Sequence, residues 1–418
     1  MEKFSYIAID KTNKETTGFE EALDQDELIA RLQARDLIVL SVSSETGEGL
    51  IHKAKTTPLP AGDHHLTLRR YRIGGDDLVI FCRQLATLLG AGVTVLKSLD
   101  VISKQVSSRR LYSVIRDLQK NMEQGLSLHE AMSKHSKVFS DLWVNLVESG
   151  EAGGNLPVVL SRLASYLERN ASFKKRIISA LIYPAILLLA GLGALLFLTI
   201  KIIPTFADLF KGFNITLPFL TQVLIDISSF LRKNIITIIV IAGSGFFLLR
   251  RYIKTRDGRL HYERFQFNLP VFGEFFRALV VEKFSSNMAT LVESGVPILY
   301  SLEITERSVD NLVMAGVVRQ IKENVREGKS LSRPMEESGF FEPMVVQMVS
   351  IGEEIGELPQ MLKKINIFYQ EYVETFLMRF TSMFEPLMLI FLGLIIGLMV
   401  IGLFLPIFKI AQMGGNNI

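Results

Sequence analysis

The chain has 418 residues, too many for one hydrophobic core, so two or three domains are expected. A formal charge of only +3 excludes the overall basic field of a nucleic-acid binder, and the single cysteine, Cys82, excludes an intrachain disulfide and most metal or redox motifs. Charged residues make up 21% and mean hydropathy is +0.30, greasier than an ordinary soluble protein.

Residues 1–44 read as a small ββαβ module: "FSYIAID" and "TGFEEA" form a strand pair around Asn13, Asp24 to Glu27 cap a helix to about Arg35, and "LIVLSV" is a third strand. The start at Met1-Glu2-Lys3 lacks an apolar core, so no cleavable signal peptide is expected. Residues 45–73, rich in Thr, Pro, Gly and His, read as a flexible linker. A helical bundle is expected over 74–176, where Leu111, Ile115, Leu118 and Met122 mark one buried face and Ser127 to Glu130 form a capping box. Residues 177–200 and 386–408 carry no charge, and each is long enough to cross a hydrocarbon layer of about 30 Å. The shorter run 235–249, framed by Arg232-Lys233 and Arg250-Arg251, is ambiguous alone.

An internal duplication resolves it. "FCRQLATLLGAGVTVLKSL" (81–99) lies over "FSSNMATLVESGVPILYSL" (284–302) at an offset of 203. "NMEQGLSLHEAM" (121–132) lies over "NVREGKSLSRPM" (324–335) at the same offset. One residue is then lost, and "GEAGGNLP" (150–157) lies over "GEEIGELP" (352–359) at 202. The match continues into the membrane, with Pro184 over Pro386 and Gly191 over Gly393. Both copies run from a soluble bundle into a span in one direction. Copies that fold alike belong on one side, so the chain must cross back between them, and only 235–249 can do that.

The expected fold class is therefore a mainly α, polytopic membrane protein with three transmembrane helices, two homologous cytoplasmic bundles and the ββαβ module. Its expected order is 1–44 module, 45–73 linker, 74–176 first bundle, 177–203 first span and 204–234 external loop. Then follow 235–250 second span, 251–379 second bundle, 380–408 third span and 409–418 external tail. Within 204–234, "LTQVLIDISSFL" fits an amphipathic helix at the outer interface. Lys174, Lys175 and Arg176 before the first span, and Arg250, Arg251, Lys254, Arg256 and Arg259 after the second, place the N-terminus and both bundles in the cytoplasm and the C-terminus outside.

The repeated octet reads as a helix–turn–helix corner. Helices end at Gly150 and Gly352, and Leu156-Pro157 and Leu358-Pro359 open the next ones. Glu151 and Glu353 are expected in the turn, favouring a nearby helix N-terminus, and Gly154 and Gly356 complete the corner. A docking or ion-pairing role for Glu151, Glu353 and Glu354 is the sharper alternative. In the membrane, Pro184 and Pro386 are either tolerated kinks or the shapers of a groove for a client helix, and Glu385 is the carboxylate abutting the third span. No catalytic, cofactor or metal site is expected. "EGKS" (327–330) lacks the first glycine and the preceding strand of a phosphate loop, "GGDD" (74–77) reads as a hinge and helix cap, and His64, His65, His129 and His135 have no ligand-like partners. Trp143 reads as core. A small transporter, the rival class, calls for ionisable groups in the spans or inverted repeats, whereas these repeats are parallel.

"FCRQLATLLGAGV", "VESGEAGGNLPVVLSRLASYLE", "ALIYPAILL", "VREGKSL", "MVSIGEEIGELPQMLKKINIFYQEYVE" and "EPLMLIFLGLIIG" resemble the type II secretion system protein F / type IV pilus PilC family over roughly residues 1–410. The resemblance implies a non-enzymatic platform protein of the bacterial inner membrane. It implies as partners a cytoplasmic assembly or secretion ATPase, pilin or pseudopilin subunits, other inner-membrane assembly components, the lipid bilayer and further copies of the chain, with no nucleic acid and no cofactor. Ser285-Ser286-Asn287 departs from the more basic start usual in the family's second copy.

Overall fold

The computed structural model describes residues 2–9, 15–35, 37–44, 72–212 and 217–415, so the linker expected over 45–73 falls almost wholly outside the described residues. The chain divides into two units, Met1–His64 and His65–Ile418.

In the first unit, β1 (Glu2–Ile9) pairs antiparallel with β2 (Glu15–Ala22), from Glu2 opposite Ala22 to Ile9 opposite Glu15. Helix α1 (Gln25–Ala34) follows, and β3 (Ile38–Ser44) joins the other edge of β1 antiparallel, giving the order β2-β1-β3. The period of two puts Phe4 and Ala8 on one face, and Leu28 and Leu32, one helical turn apart, are buried with them. Asp24 Oδ1 accepts the Glu27 N–H at 2.8 Å while Glu27 Oε2 accepts the Leu23 N–H at 2.9 Å, a reciprocal cap that starts α1 where the sequence places it.

The second unit opens with the first repeat: α2 (Gly75–Gly90), α3 (Val95–Ser103), α4 (Arg109–Glu123), α5 (Leu128–Ser133), α6 (Asp141–Ala152) and α7 (Leu156–Phe197). Serines set three of the starts, because Ser108, Ser127 and Ser140 Oγ accept the N–H of Leu111, Glu130 and Trp143. Phe81, Phe139 and Trp143 fill the core, with ring centroids 5.2 to 6.3 Å apart. Each such burial is worth about 1.5–3 kcal/mol in transfer terms.

Helix α7 passes through Pro184 without a break, takes a π turn at Leu198–Ile202 and continues as α8 (Ile203–Gly212). Helix α9 (Phe219–Ile253) returns, and the second repeat follows as α10 (Arg256–Phe267), α11 (Phe272–Glu293), α12 (Ile298–Ser308), α13 (Leu312–Arg326), α14 (Ser332–Glu337), α15 (Pro343–Glu354) and α16 (Leu358–Gly415). Among the described residues, three helical stretches, Leu156–Phe210, Phe219–Ile253 and Leu358–Phe408, are long and apolar enough to cross a membrane. The 58-residue α16 is about 87 Å long at about 1.5 Å per residue, nearly three times the hydrocarbon thickness.

Two expectations change here. The boundaries drawn at 176/177 and 379/380 fall inside single helices, Leu156–Phe197 and Leu358–Gly415, since residues 170–183 and 372–385 hold neither glycine nor proline to end a helix there. The segment 204–234 is helical on both sides of residues 213–218, and "LTQVLIDISSFL" is the first part of the 35-residue α9 rather than a separate interfacial helix. Two of its polar residues are buried against neighbouring helices. Thr221 Oγ1 donates to the Gly402 carbonyl, and Ser228 Oγ donates to the carbonyl of Thr199 in the π turn, where regular helix bonding is disturbed. A Cβ on Gly191 would lie 2.8 Å from Leu392 Cδ1, so that glycine permits the close approach of α7 and α16.

Candidate functional site: the helix corners and the seam between repeats

The octet places four requirements in eight residues. Gly150 lies where α6 meets α7, and a Cβ there would be 3.1 Å from Val159 Cβ and 3.2 Å from Leu156 Cα. Gly352 repeats this, 3.0 Å from Leu358 Cα and from Met361 Cγ. Gly154 and Gly356 take φ of +65° and +73°, and the next N–H, of Asn155 or Glu357, bonds the Gly150 or Gly352 carbonyl at 2.9 Å, closing the helix with a Schellman turn. Pro157 and Pro359 then sit in the first turn of the outgoing helix.

The carboxylates differ from expectation. Glu151 and Glu353 belong to the last turns of α6 and α15, and they cap a helix that lies earlier in the chain. Glu151 accepts the N–H of Leu128 at 2.7 Å and of His129 at 3.0 Å, and its Oε2 is 2.6 Å from His129 Nδ1. Glu353 accepts the N–H of Leu331 at 2.6 Å and of Ser332 at 3.1 Å. Each carboxylate therefore answers the exposed donors and positive end of a six-residue helix too short to be stable alone. Glu354 is exposed. Around it, Ile351 and Ile355 are 43% and 58% exposed where the first repeat has Ser149 and Gly153.

The two bundles are joined by a seam that the sequence reading missed. Leu291, Val296 and Ile304 of the second repeat are buried within the hydrophobic cluster of the first. Tyr166 OH donates to Asn287 Oδ1 at 2.7 Å, and Asn287 Nδ2 donates to Ser308 Oγ at 2.9 Å. Tyr300 OH reaches Asn145 Oδ1, and an Arg162 guanidinium N–H reaches the Glu293 carbonyl. Ser285, Ser286 and Asn287 are all buried, Asn287 in the seam itself, so an arginine at Ser286 would enter a closed environment. In the first repeat the equivalent Arg83 is half-exposed and bonds Glu168 at 2.6 and 2.7 Å, holding that carboxyl below its usual range. Beside the seam, Glu282 is 5% exposed and accepts from Asn366 Nδ2 at 3.0 Å and Gln370 Nε2 at 2.8 Å. Burial pushes its carboxyl up, against those two hydrogen bonds.

In the membrane-spanning part, Pro184 is buried and Pro386 exposed. Glu385 meets the hydroxyl of Tyr183, its own counterpart in the repeat, so the structure brings two equivalent positions together. The Lys329 amine bonds Asn324 and pairs with Glu327 in the turn after α13, which occupies the would-be phosphate-binding amine. Among the described residues, no group of three or more His, Cys, Asp or Glu is arranged to hold a metal ion.

Comparison with known proteins agrees with the duplicated architecture. The family described as "Type II secretion system (T2SS), protein F" matches residues 81–204 and again 284–406, and its N-terminal domain family matches residues 1–43. The "Type IV pilus assembly protein PilC" of Thermus thermophilus is 38% identical over 98% of this chain and 98% of its own length. The protein of the same name from Myxococcus xanthus is 31% identical over 98% and 95%. The "Type II secretion system protein F" of Pseudomonas aeruginosa is 30% identical over 99% and 100%. With two matched copies of the family domain, the spans that follow them and full-length relatives of both kinds, the chain belongs to the type II secretion system protein F family, which includes the type IV pilus assembly proteins PilC.

Proposed function

We propose that the chain is a non-enzymatic platform of the bacterial inner membrane. In this reading it couples a cytoplasmic assembly or secretion ATPase to insertion and extraction of pilin or pseudopilin subunits, working as a homo-oligomer among other inner-membrane assembly components. The observation that carries it is mechanical. Helices α7 and α16 begin inside the two bundles and continue into the spans without a joint, over 42 and 58 residues. A helix transmits displacement along its axis because its hydrogen bonds run with that axis. The glutamate-capped corners fix the lower ends of both shafts to their bundles. Names of relatives from pilus assembly and from secretion support the same reading. The flanking basic residues favour a cytoplasmic N-terminus and a periplasmic C-terminus.

The test is an insertion of four Gly-Ser residues between Arg176 and Ile177. It should leave the protein in the membrane and still co-purifying with the assembly ATPase, yet abolish pilus or pseudopilus formation. Normal assembly with the flexible insert would end the shaft reading, and failure to recover any ATPase with the unaltered protein from its native host would end the coupling reading. Reporter fusions within 90–170 and 290–370 test topology, and opposite compartments would overturn it.

A further inference from the structure

The seam between the repeats is heterologous. The second repeat contributes the end of α11 and α12, whereas the first contributes α6 and α7. Because the repeats are homologous, the unused faces form a second pair of the same kind: the α2–α3 edge of the first repeat and the α15–α16 face of the second. Their exposure differs as an unfilled interface requires. Phe368 is 40% exposed, whereas its counterpart Tyr166 is 8% exposed. Met344 is 39% exposed, whereas its counterpart Leu142 is 2% exposed. On the other edge, Val93 and Val101 are half-buried where their counterparts Val296 and Ile304 are closed off.

We propose that a second copy of this chain fills these faces, the α2–α3 edge of one copy seating on the α15–α16 face of the next as α11–α12 seats on α6–α7 within one chain. The inference rests on the homo-oligomer reading above and specifies its surface. Two of the three polar contacts translate with their chemistry kept. Arg162, which donates to the Glu293 carbonyl, becomes exposed Lys364 facing the Gly90 carbonyl. Tyr300 on Asn145 becomes Lys97 on Gln347, both exposed, a donor again meeting an amide. Tyr166 on Asn287 becomes Phe368 beside Gln84, and the Gln84 amide is already satisfied by Gln105 Oε1 at 3.0 Å. The Gln84 Nε2 donor thus keeps its partner, and the half-buried Gln84 Oε1, which meets no tyrosine here, stays with water at the rim of the contact. A heterologous contact repeated between copies closes into a ring when its rotation allows, and two chains offer four repeats for the smallest one.

Cysteines at Lys97→Cys and Gln347→Cys test this in isolated membranes, with Cys82 left in place because it is fully buried. Under mild oxidation the double variant should run as covalent dimers or a longer ladder, and each single variant as monomer. The pair Asn145→Cys with Tyr300→Cys calibrates the geometry by closing within one chain. Phe368→Asp added to the double variant should lower the cross-linked fraction at least about tenfold, since an unpaired charge in a closed contact costs more than the about 1.4 kcal/mol that a factor of ten represents. No inter-copy link, an equal link in a single variant, or indifference to Phe368→Asp overturns the surface. Native mass in detergent separates the two failures: several copies without the link sink only this interface, whereas a single copy sinks the homo-oligomer reading itself.

Discussion

Removing Glu151 or Glu353 tests the account of the octet directly. Glu151→Ala withdraws a carboxylate that accepts two first-turn amides at 2.7 and 3.0 Å, and Glu353→Ala withdraws one at 2.6 and 3.1 Å. A hydrogen bond to a charged group is worth about 1.5–3 kcal/mol, and loss of a helix cap costs about 0.5–2. The two bonds share one carboxylate, and water can reach the freed amides because the Glu151 side chain is 22% exposed. We therefore expect about 2–3 kcal/mol for each variant rather than the full sum, a sizeable share of the about 5–15 kcal/mol that holds a domain folded. The backbone bonds are near-identical, so the two costs should differ only by what the Glu151–His129 Nδ1 contact adds to the first, about 1 kcal/mol or less. Hydrogen exchange on the full chain in detergent locates the effect. Protection of the Leu128 and His129 amides should fall roughly 30- to 150-fold in Glu151→Ala, and that of Leu331 and Ser332 likewise in Glu353→Ala. Glu354→Ala, at an exposed neighbouring position, should change little, within about 0.5 kcal/mol. If Glu151→Ala costs no more than Glu354→Ala, the capping account of the octet is wrong.

Three further measurements follow from the same geometry. Gly352→Ala must separate α15 from α16 against the Leu358 backbone at 3.0 Å, and should destabilise by about 1–3 kcal/mol in denaturant titration, whereas a neutral effect would mean the corner is loosely packed. Tyr166→Phe leaves Asn287 Oδ1 buried without its donor and should cost about 1–3 kcal/mol, read as earlier loss of the second-repeat transition on heating. Glu282 carries the pH dependence: its carboxyl is raised by burial above the ordinary 4.5, so the folded state holds its proton more tightly. Stability from this group is complete below 4.5 and falls as pH rises through the raised value. Glu282→Gln should therefore melt higher than the parent at pH 7.5 and no higher at pH 4, and a difference independent of pH would remove Glu282 from the titration.

The architecture was legible because its signals are local or periodic. The ββαβ alternation, the serine and aspartate caps at Ser127 and Asp24, and the chargeless runs at 177–200 and 386–408 each act through neighbours in sequence. The duplication added the third span by logic alone, and α9 is long and apolar enough to supply it. The octet was half-read. Its glycines and prolines mark a corner by backbone conformation, which a sequence displays, but the target of Glu151 lies 22 and 23 positions earlier in the chain, and only the packing of α5 on α6 brings it there.

The amino-acid order by itself determined the helices, their punctuation and the two-fold repetition, since those depend on propensity and hydrophobic period. The tertiary structure alone decided which equivalent faces are covered. Tyr166 and Phe368 occupy the same place in their repeats, yet one is buried against Asn287 and the other faces outward. That difference is not encoded near either residue. It arises because two similar bodies joined by one asymmetric contact must leave one of each face open.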